Sequence, residues 1–475
     1  MTVSEYYTAT EGLEPMEDYG DRLAAEGEQH HGQVRLAYRL AGSHADRLMH
    51  VHGLGWMAWD GKRWAEDDRG AARRAVNEVL RVALAESLDN KELRRDVERC
   101  ETDASIRGVL AIASALEPFA QTVADLDPDP YLLNCANGTL DLRTRQLREH
   151  DPRDRITKVT TAAYRPDSCG SEWRDFLERV LPDAEVRGYL QRFAGLALLG
   201  KVLEHVFTIA TGTGANGKGT AYSAILFALG EYGHVAESDL FMQAKKNPQG
   251  ASPALMALMG KRLVVVSETE RDHRLAAALM KNLTGGDPIA ARPLYGKPVT
   301  FMPSHTSLMV TNFLPKVDGD DPAVWRRIRV VPFDVVIPAD ERNSHLGARL
   351  EADAESVLAW AVEGYAQYEL VGLAEPEGIT GATGDYQKSS DAVSRFIDDC
   401  CLVGPHFHAT TTELHERWVR WAIDDGAEPL SVKKFGQALD THGHHTKGGT
   451  GRDRYNRLGI GLAAEEDGYG WGEGR

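Results

Sequence analysis

The residues best equipped for chemistry are a lysine among glycines, Thr211-Gly-Thr-Gly-Ala-Asn-Gly-Lys-Gly-Thr220. Gly212, Gly214, Gly217 and Gly219 let the backbone wrap closely around an anion, with several N–H groups turned inward. Ala215 and Asn216 complete the loop, and Lys218 can reach the β- and γ-phosphates of a nucleoside triphosphate. Such a loop needs a strand before it and a helix after it, because the helix N-terminus adds its own donors. Both flanks are present. Residues 205–210 are short, apolar and rich in β-formers; residues 221–229 have helical length and stop at Gly230. One position departs from the pattern. Gly219 stands where a Ser or Thr usually carries the magnesium-side hydroxyl, so Thr220 supplies it with the loop re-registered, or water does. The alternative is a Gly-rich turn without function.

Further candidates follow in order. Residues 263–266 read Leu-Val-Val-Val, as expected of a strand buried on both faces, and lead into Glu268 and Glu270. An acid at the carboxyl end of such a strand can orient magnesium and polarise an attacking water; two surface glutamates are the alternative. A Thr284-Gly285-Gly286-Asp287 turn precedes an expected hairpin with Lys297 near its tip. Residues 307–312 form another apolar strand ending in Asn312, an amide placed to meet water or a γ-phosphate. Arg326 and Arg327 enter a last strand, from which one could reach a neighbouring subunit's site. Alone, that stretch is an amphipathic strand with a basic edge.

In this order the elements resemble a superfamily 3 helicase, specifically the phage and plasmid primase-helicases and the related poxvirus primase-helicase. The resemblance implies an α/β fold: a P-loop NTPase core of AAA+-like type, an N-terminal helicase-associated α+β domain and a C-terminal winged-helix domain. It implies ATP and Mg2+ as cofactors, with Lys218 as the phosphate-loop lysine and Glu268 and Glu270 as the second-motif acids. Thr220 and Glu268 stand on the magnesium side, Asn312 resembles the polar sensor, and Arg326 and Arg327 the finger pair. Asp287 and Arg292 match a Thr-Gly-Gly-Asp…Arg element, and Lys297 the DNA-contacting pore hairpin. The implied activity is ATP-driven unwinding by a homo-oligomeric ring, a hexamer by resemblance, on single-stranded or forked DNA. A nucleotide-gated origin-binding or loader protein is the other reading. Resemblance begins near residue 32, leaving no room for an upstream primase-polymerase domain; no primer synthesis is expected, and a separate primase or polymerase would be a partner.

The rest of the chain frames these motifs. With 475 residues, several domains are expected: an acidic tail (1–30), an N-terminal domain (31–172), the ATPase (173–375), a Gly/Thr-rich linker, a winged helix (385–462) and a disordered tail (463–475). Asp60-Gly61 signals a hairpin whose Trp56, Trp59 and Trp64 form a small core rather than a base-stacking platform. Asp125 and Asp127 run into prolines and read as a turn, not a two-metal platform. Asn137-Gly138 marks another hairpin. A net charge of −17 argues against wholesale coating of nucleic acid, yet residues 430–459 hold six Lys or Arg against two Asp or Glu. Helices and then a basic Gly/His-rich loop suggest a winged helix reading DNA through Lys433, Lys434, Arg452 and Arg454; protein docking is the alternative. His442, His444 and His445 lack partner ligands and read as a flexible wing. Five cysteines without metal spacing read as reduced structural thiols. No stretch approaches the ~18 apolar residues of a membrane span. The expected setting is the cytoplasm of a bacterial host, encoded by a phage or prophage.

Overall fold

The computed structural model describes residues 22–23, 25–168, 170–238, 240–242, 252–267, 274–292, 297–317, 321–427, 429–448 and 456–463. Glu268, Glu270, Arg452 and Arg454 lie outside them.

The N-terminal region starts with α1 (Gly32–His44), whose Leu36, Ala37 and Leu40 recur at helical spacing and are buried. A short sheet follows, built from β1 (Leu48–Val51), β2 (Gly55–Trp59) and β3 (Trp64–Glu66). The β2–β3 turn is set by Asp60, whose Oδ1 accepts the backbone N–H groups of Lys62 and Arg63 at 2.8 and 2.9 Å. The tryptophans act as core: Trp64 is buried with its ring 5.8 Å from Trp59, and Trp56 meets Phe119 edge-on. Helices α2 (Ala71–Glu86), α3 (Lys91–Cys100) and α4 (Asp103–Ala113) close this core, and β4 (Ala120–Gln121) joins β1 in parallel. The Asp125–Asp127 pair is structural. Asp125 caps Thr122, and Asp127 accepts both the backbone N–H and the hydroxyl of Thr157.

A three-stranded antiparallel sheet comes next, β5 (Leu132–Cys135), β6 (Gly138–Asp141) and β7 (Gln146–Arg148), turning at Asn137-Gly138. Buried residues of this segment, from Leu132 to Tyr164, share one core with the helices after it, so packing continues across residues 172 and 173. Those helices are α5 (Ser171–Val180) and α6 (Ala184–Leu196), separated at Pro182, with Asp183 capping the second.

At the centre is a five-stranded all-parallel sheet: β8 (Phe207–Thr211), β9 (Gly233–Ala236), β10 (Leu263–Ser267), β13 (Thr306–Thr311) and β14 (Ile328–Pro332). Their spatial order is β14-β8-β13-β10-β9. Strand periodicity decides which side each residue packs on. Phe207, Ile209, Val264, Val266, Met309, Ile328 and Val330 face one core; Ala210, Leu263, Val265, Leu308, Val310 and Val331 face the other. With both faces covered, each fully buried Val, Leu or Ile contributes on the order of 1.5–3 kcal/mol. The second core is closed by α7 (Lys218–Leu229) and by the later long helix α10 (Ala354–Val371). Between β10 and β13 lie α8 (Ala277–Thr284) and an antiparallel pair, β11 (Ile289–Ala291) and β12 (Val299–Phe301). Before β14 comes the single turn α9 (Pro322–Trp325), followed after the sheet by α10 (Ala354–Val371).

The expected linker is instead helical. Residues 378–384 are the first turns of α11 (Glu377–Ser390), which buries Ile379 and Tyr386 against the sheet region. The C-terminal unit then contains α12 (Ala392–Cys400), β15 (Cys401–Thr410), α13 (Thr411–Asp425), α14 (Val432–Thr441) and β16 (Asn456–Leu462). Its core gathers Phe396, Leu414, Trp418, Phe435, Leu439 and Ile460. A strand pairing antiparallel with β16 thus occupies what reads in sequence as a turn between helices. No helix among the described residues is long and apolar enough to cross a membrane.

Candidate functional site

The glycine loop leaves the carboxyl end of β8 and enters α7 at Lys218. Its geometry explains its composition. Gly217 caps the helix at φ 81°, and a Cβ there would lie 2.5 Å from the Val180 side chain. Gly212 has φ 151°, and a Cβ would fall 2.2 Å from the Phe333 carbonyl oxygen. Gly214 and Gly219 are open: nothing lies within 4 Å of a Cβ at Gly214, and at Gly219 only Tyr222, at 3.9 Å. Ala215 adopts a left-handed φ of 61°.

Lys218 is buried, and its ammonium donates to the Gly212 carbonyl at 2.7 Å, to Asn216 Oδ1 at 3.1 Å and to Asn312 Oδ1 at 3.1 Å. Those three acceptors are neutral oxygens. Burial holds the lysine below its ordinary pKa. A buried cation beside an open loop at a helix N-terminus has the chemistry to receive an anion. Asn312 reaches it because β13 runs beside β8 in register, Thr311 opposite Thr211. Next along the sheet, Ser267 of β10 pairs with Val310 at the same edge. Thr220, half-buried in the first turn of α7, stands beside the exposed Gly219.

Other expected residues are not brought to this loop. Ile328 pairs with Phe207 and Pro332 with Thr211, so Arg326 and Arg327 sit at the opposite, amino edge of the sheet. A strand of that length separates them from the loop by roughly 13 Å or more. The two arginines differ: Arg326 is exposed, whereas Arg327 is buried and donates to the Ala323 carbonyl at 2.7 Å. Asp321 caps the turn before them and accepts Lys281 Nζ at 2.8 Å; that bond holds its carboxyl below the usual carboxylate range. Lys297 is exposed two residues before β12. In the C-terminal unit Ser431 caps α14, with Lys433 and Lys434 exposed in its first turn. Ser431 and Lys434 line a cleft of about 750 Å³ shared with Lys316, Pro315 and Trp325, so the start of α14 looks toward the sheet-bearing region. His442 pairs with Asp391 and His444 is buried, which makes them parts of the packing. Among the described residues no cluster of His, Cys, Asp or Glu could hold a metal.

Sequence reasoning missed the loop's partner. Asn216 donates its amide to the Phe333 carbonyl at 2.9 Å, just beyond β14. A backbone carbonyl leaves no mark in a sequence.

Comparison with known proteins finds two family models and several viral relatives. Residues 37–182 match the family described as D5 N terminal like, and residues 210–327 match a family of unknown function. Mimivirus of Acanthamoeba polyphaga encodes a protein named "Putative helicase L207/L206", 25% identical over 386 residues, 72% of this chain and 40% of that protein. "Putative helicase 022R" of Frog virus 3 is 29% identical over 286 residues, covering 56% of this chain and 29% of that protein. "Putative primase C962R" of African swine fever virus is 24% identical over 246 residues, 50% and 26% of the two chains. The chain therefore matches less than half the length of each of these relatives. The apo C-terminal region of NrS-1 aligns with a TM-score of 0.44 and 12% identity over 83% of this chain and 81% of that one, too loosely to bear on the fold. A D5 N-terminal-like segment leading into the glycine-loop strand, together with viral relatives named as helicases and primases, supports a relationship to the primase-helicase family.

Proposed function

We propose that the chain is an ATP-dependent DNA helicase of phage or mobile-element replication, built on a P-loop NTPase core. The observation that carries this reading is Lys218, buried at the carboxyl edge of a parallel sheet and held, among the described residues, by neutral oxygens of its own loop and of Asn312. A triphosphate fits that cradle, because Gly214 and Gly219 leave it open and the N-terminus of α7 faces it. In this reading Lys218 exchanges the loop oxygens for β- and γ-phosphate oxygens, and Asn312, released by the lysine, turns to the γ-phosphate or its attacking water. Thr220 and Glu268 would hold magnesium, which when bound neutralises charge on the phosphates. Glu268 or Glu270 would orient the water.

Arg326, exposed at the far edge of the same sheet, would serve a neighbouring copy's site, which makes the active form a ring with shared sites. The names of the viral relatives support a replication role, and with it DNA as the partner. Single-stranded DNA would pass Lys297, and the C-terminal unit, read as a winged helix, would contact DNA through Lys433, Lys434, Arg452 and Arg454. The test is strand displacement on a forked duplex with ATP and magnesium, wild type against Lys218→Ala. The expected result is unwinding that Lys218→Ala abolishes; equal unwinding by both would overturn the reading.

A second reading rests on Gly219. Without a hydroxyl beside the lysine, the site would bind ATP to gate assembly on an origin and turn over slowly. Wild-type protein that binds ATP but shows no DNA-stimulated hydrolysis would favour that loader.

A further inference from the structure

The loop at the carboxyl edge of β8 is fastened to the segment that leaves β14. Three hydrogen bonds make the fastening: Phe333 N–H to the Thr211 carbonyl at 2.8 Å, Asn216 Nδ2–H to the Phe333 carbonyl at 2.9 Å, and Ile337 N–H to the Ala215 carbonyl at 2.8 Å. Asn216 is the only side chain among the three pairs. It is buried, and its other end, Oδ1, accepts the Lys218 ammonium. Gly212 is shaped by the same contact, since a Cβ there would lie 2.4 Å from Asn216 Nδ2 as well as against Phe333. β14 in turn begins immediately after Arg326 and Arg327.

From this juxtaposition we infer that Asn216 is a positioning residue that clasps the phosphate loop to β14, so that loop, lysine and arginine-bearing strand move as one body. The inference rests on the nucleotide-site reading but adds to it. It makes the loop's response to ligand travel along β14 to the edge that meets a neighbouring copy. Asn216 itself need not touch the ligand. Its amide is already committed to Phe333, and its oxygen sets where Lys218 rests before phosphate arrives. A lost buried hydrogen bond of this kind corresponds to about five- to tenfold in a local equilibrium.

The test is hydrogen–deuterium exchange on the full chain, wild type against Asn216→Ala and Asn216→Asp, each with and without ATP and magnesium. Asn216→Asp keeps the size and the acceptor but replaces the donor that Phe333 requires. Both variants are expected to exchange about five- to tenfold faster in residues 333–337 as well as in the loop. In wild type ATP should protect both segments; in the variants it should protect the loop alone. ATP hydrolysis should show KM raised about tenfold, with a smaller change in kcat for the bound substrate. Unchanged exchange at residues 333–337 in both variants would overturn the clasp, even with Lys218→Ala inactive. Wild-type protein whose exchange ATP leaves untouched would instead overturn the nucleotide reading, and the relay with it. Thermal melting near the wild-type value identifies the variant that is folded, and either variant suffices.

Discussion

The two edges of the central sheet handle positive charge in opposite ways. At the amino edge the cations are committed to structure. Arg262 donates to the Leu198 and Leu132 carbonyls and lies 4.4 Å above the Tyr232 ring. Lys261 donates to the Glu231 carbonyl at 2.7 Å, and burial beside Lys158 and Arg63 pushes its pKa down to about 8. Arg327 serves Ala323. At the carboxyl edge Lys218 is as buried as these, but it rests on a loop with room around it. The difference separates groups that hold a fold from a group that can change partners. Arg326 is the exception at the amino edge, exposed where its neighbours are tied down.

The contrast can be broken by substitution. The largest effect is expected from Arg326→Ala, about a thousandfold loss of kcat on the shared-site reading. Mixing Arg326→Ala with Lys218→Ala subunits should recover part of the turnover, because some interfaces then pair an intact loop with an intact arginine. No recovery would place the arginine outside the chemistry. Arg262→Ala should act on stability, costing about 3 kcal/mol in urea unfolding by leaving two buried carbonyls without a donor. A small loss with normal melting would mean that this edge is less committed than it looks. The smallest effect is expected from Gly219→Ser. Only Tyr222 lies within 4 Å of a Cβ there, so stability should stay within about 0.5 kcal/mol. The magnesium concentration for half-maximal hydrolysis should fall about threefold if the missing hydroxyl matters. No change would assign that role to Thr220 or to water.

Much of this site was legible because it follows chain order. The apolar run before the loop, the glycines and the helix stop at Gly230 all fall where the strand, turn and helix lie. The pairing of β8 with β13, which brings Asn312 to Lys218, was not legible, since strand order is a long-range property. Nor was the difference in setting between Arg326, which is exposed, and Arg327, which is buried beside the turn at Ala323. Residues 378–384 show a third kind of failure. Glycines and threonines favour loops on local propensity, but burying Ile379 and Tyr386 outweighs a cost of about 1 kcal/mol per glycine. In the C-terminal unit, β15 carries His, Gly and Pro, which hid a ten-residue strand whose pairing with β16 becomes visible only in three dimensions.

That helix, α11, has a consequence for assembly. β14 is the outermost strand on its side of the sheet, and an open outermost strand invites another chain to add to it. Here Thr383 Oγ1 accepts the Val330 N–H at 3.0 Å, Arg329 pairs with Glu375, and the Tyr386 ring lies 5.2 Å from Trp325. The border is sealed by the chain's own helix. A second copy is thereby kept from adding a strand along this border.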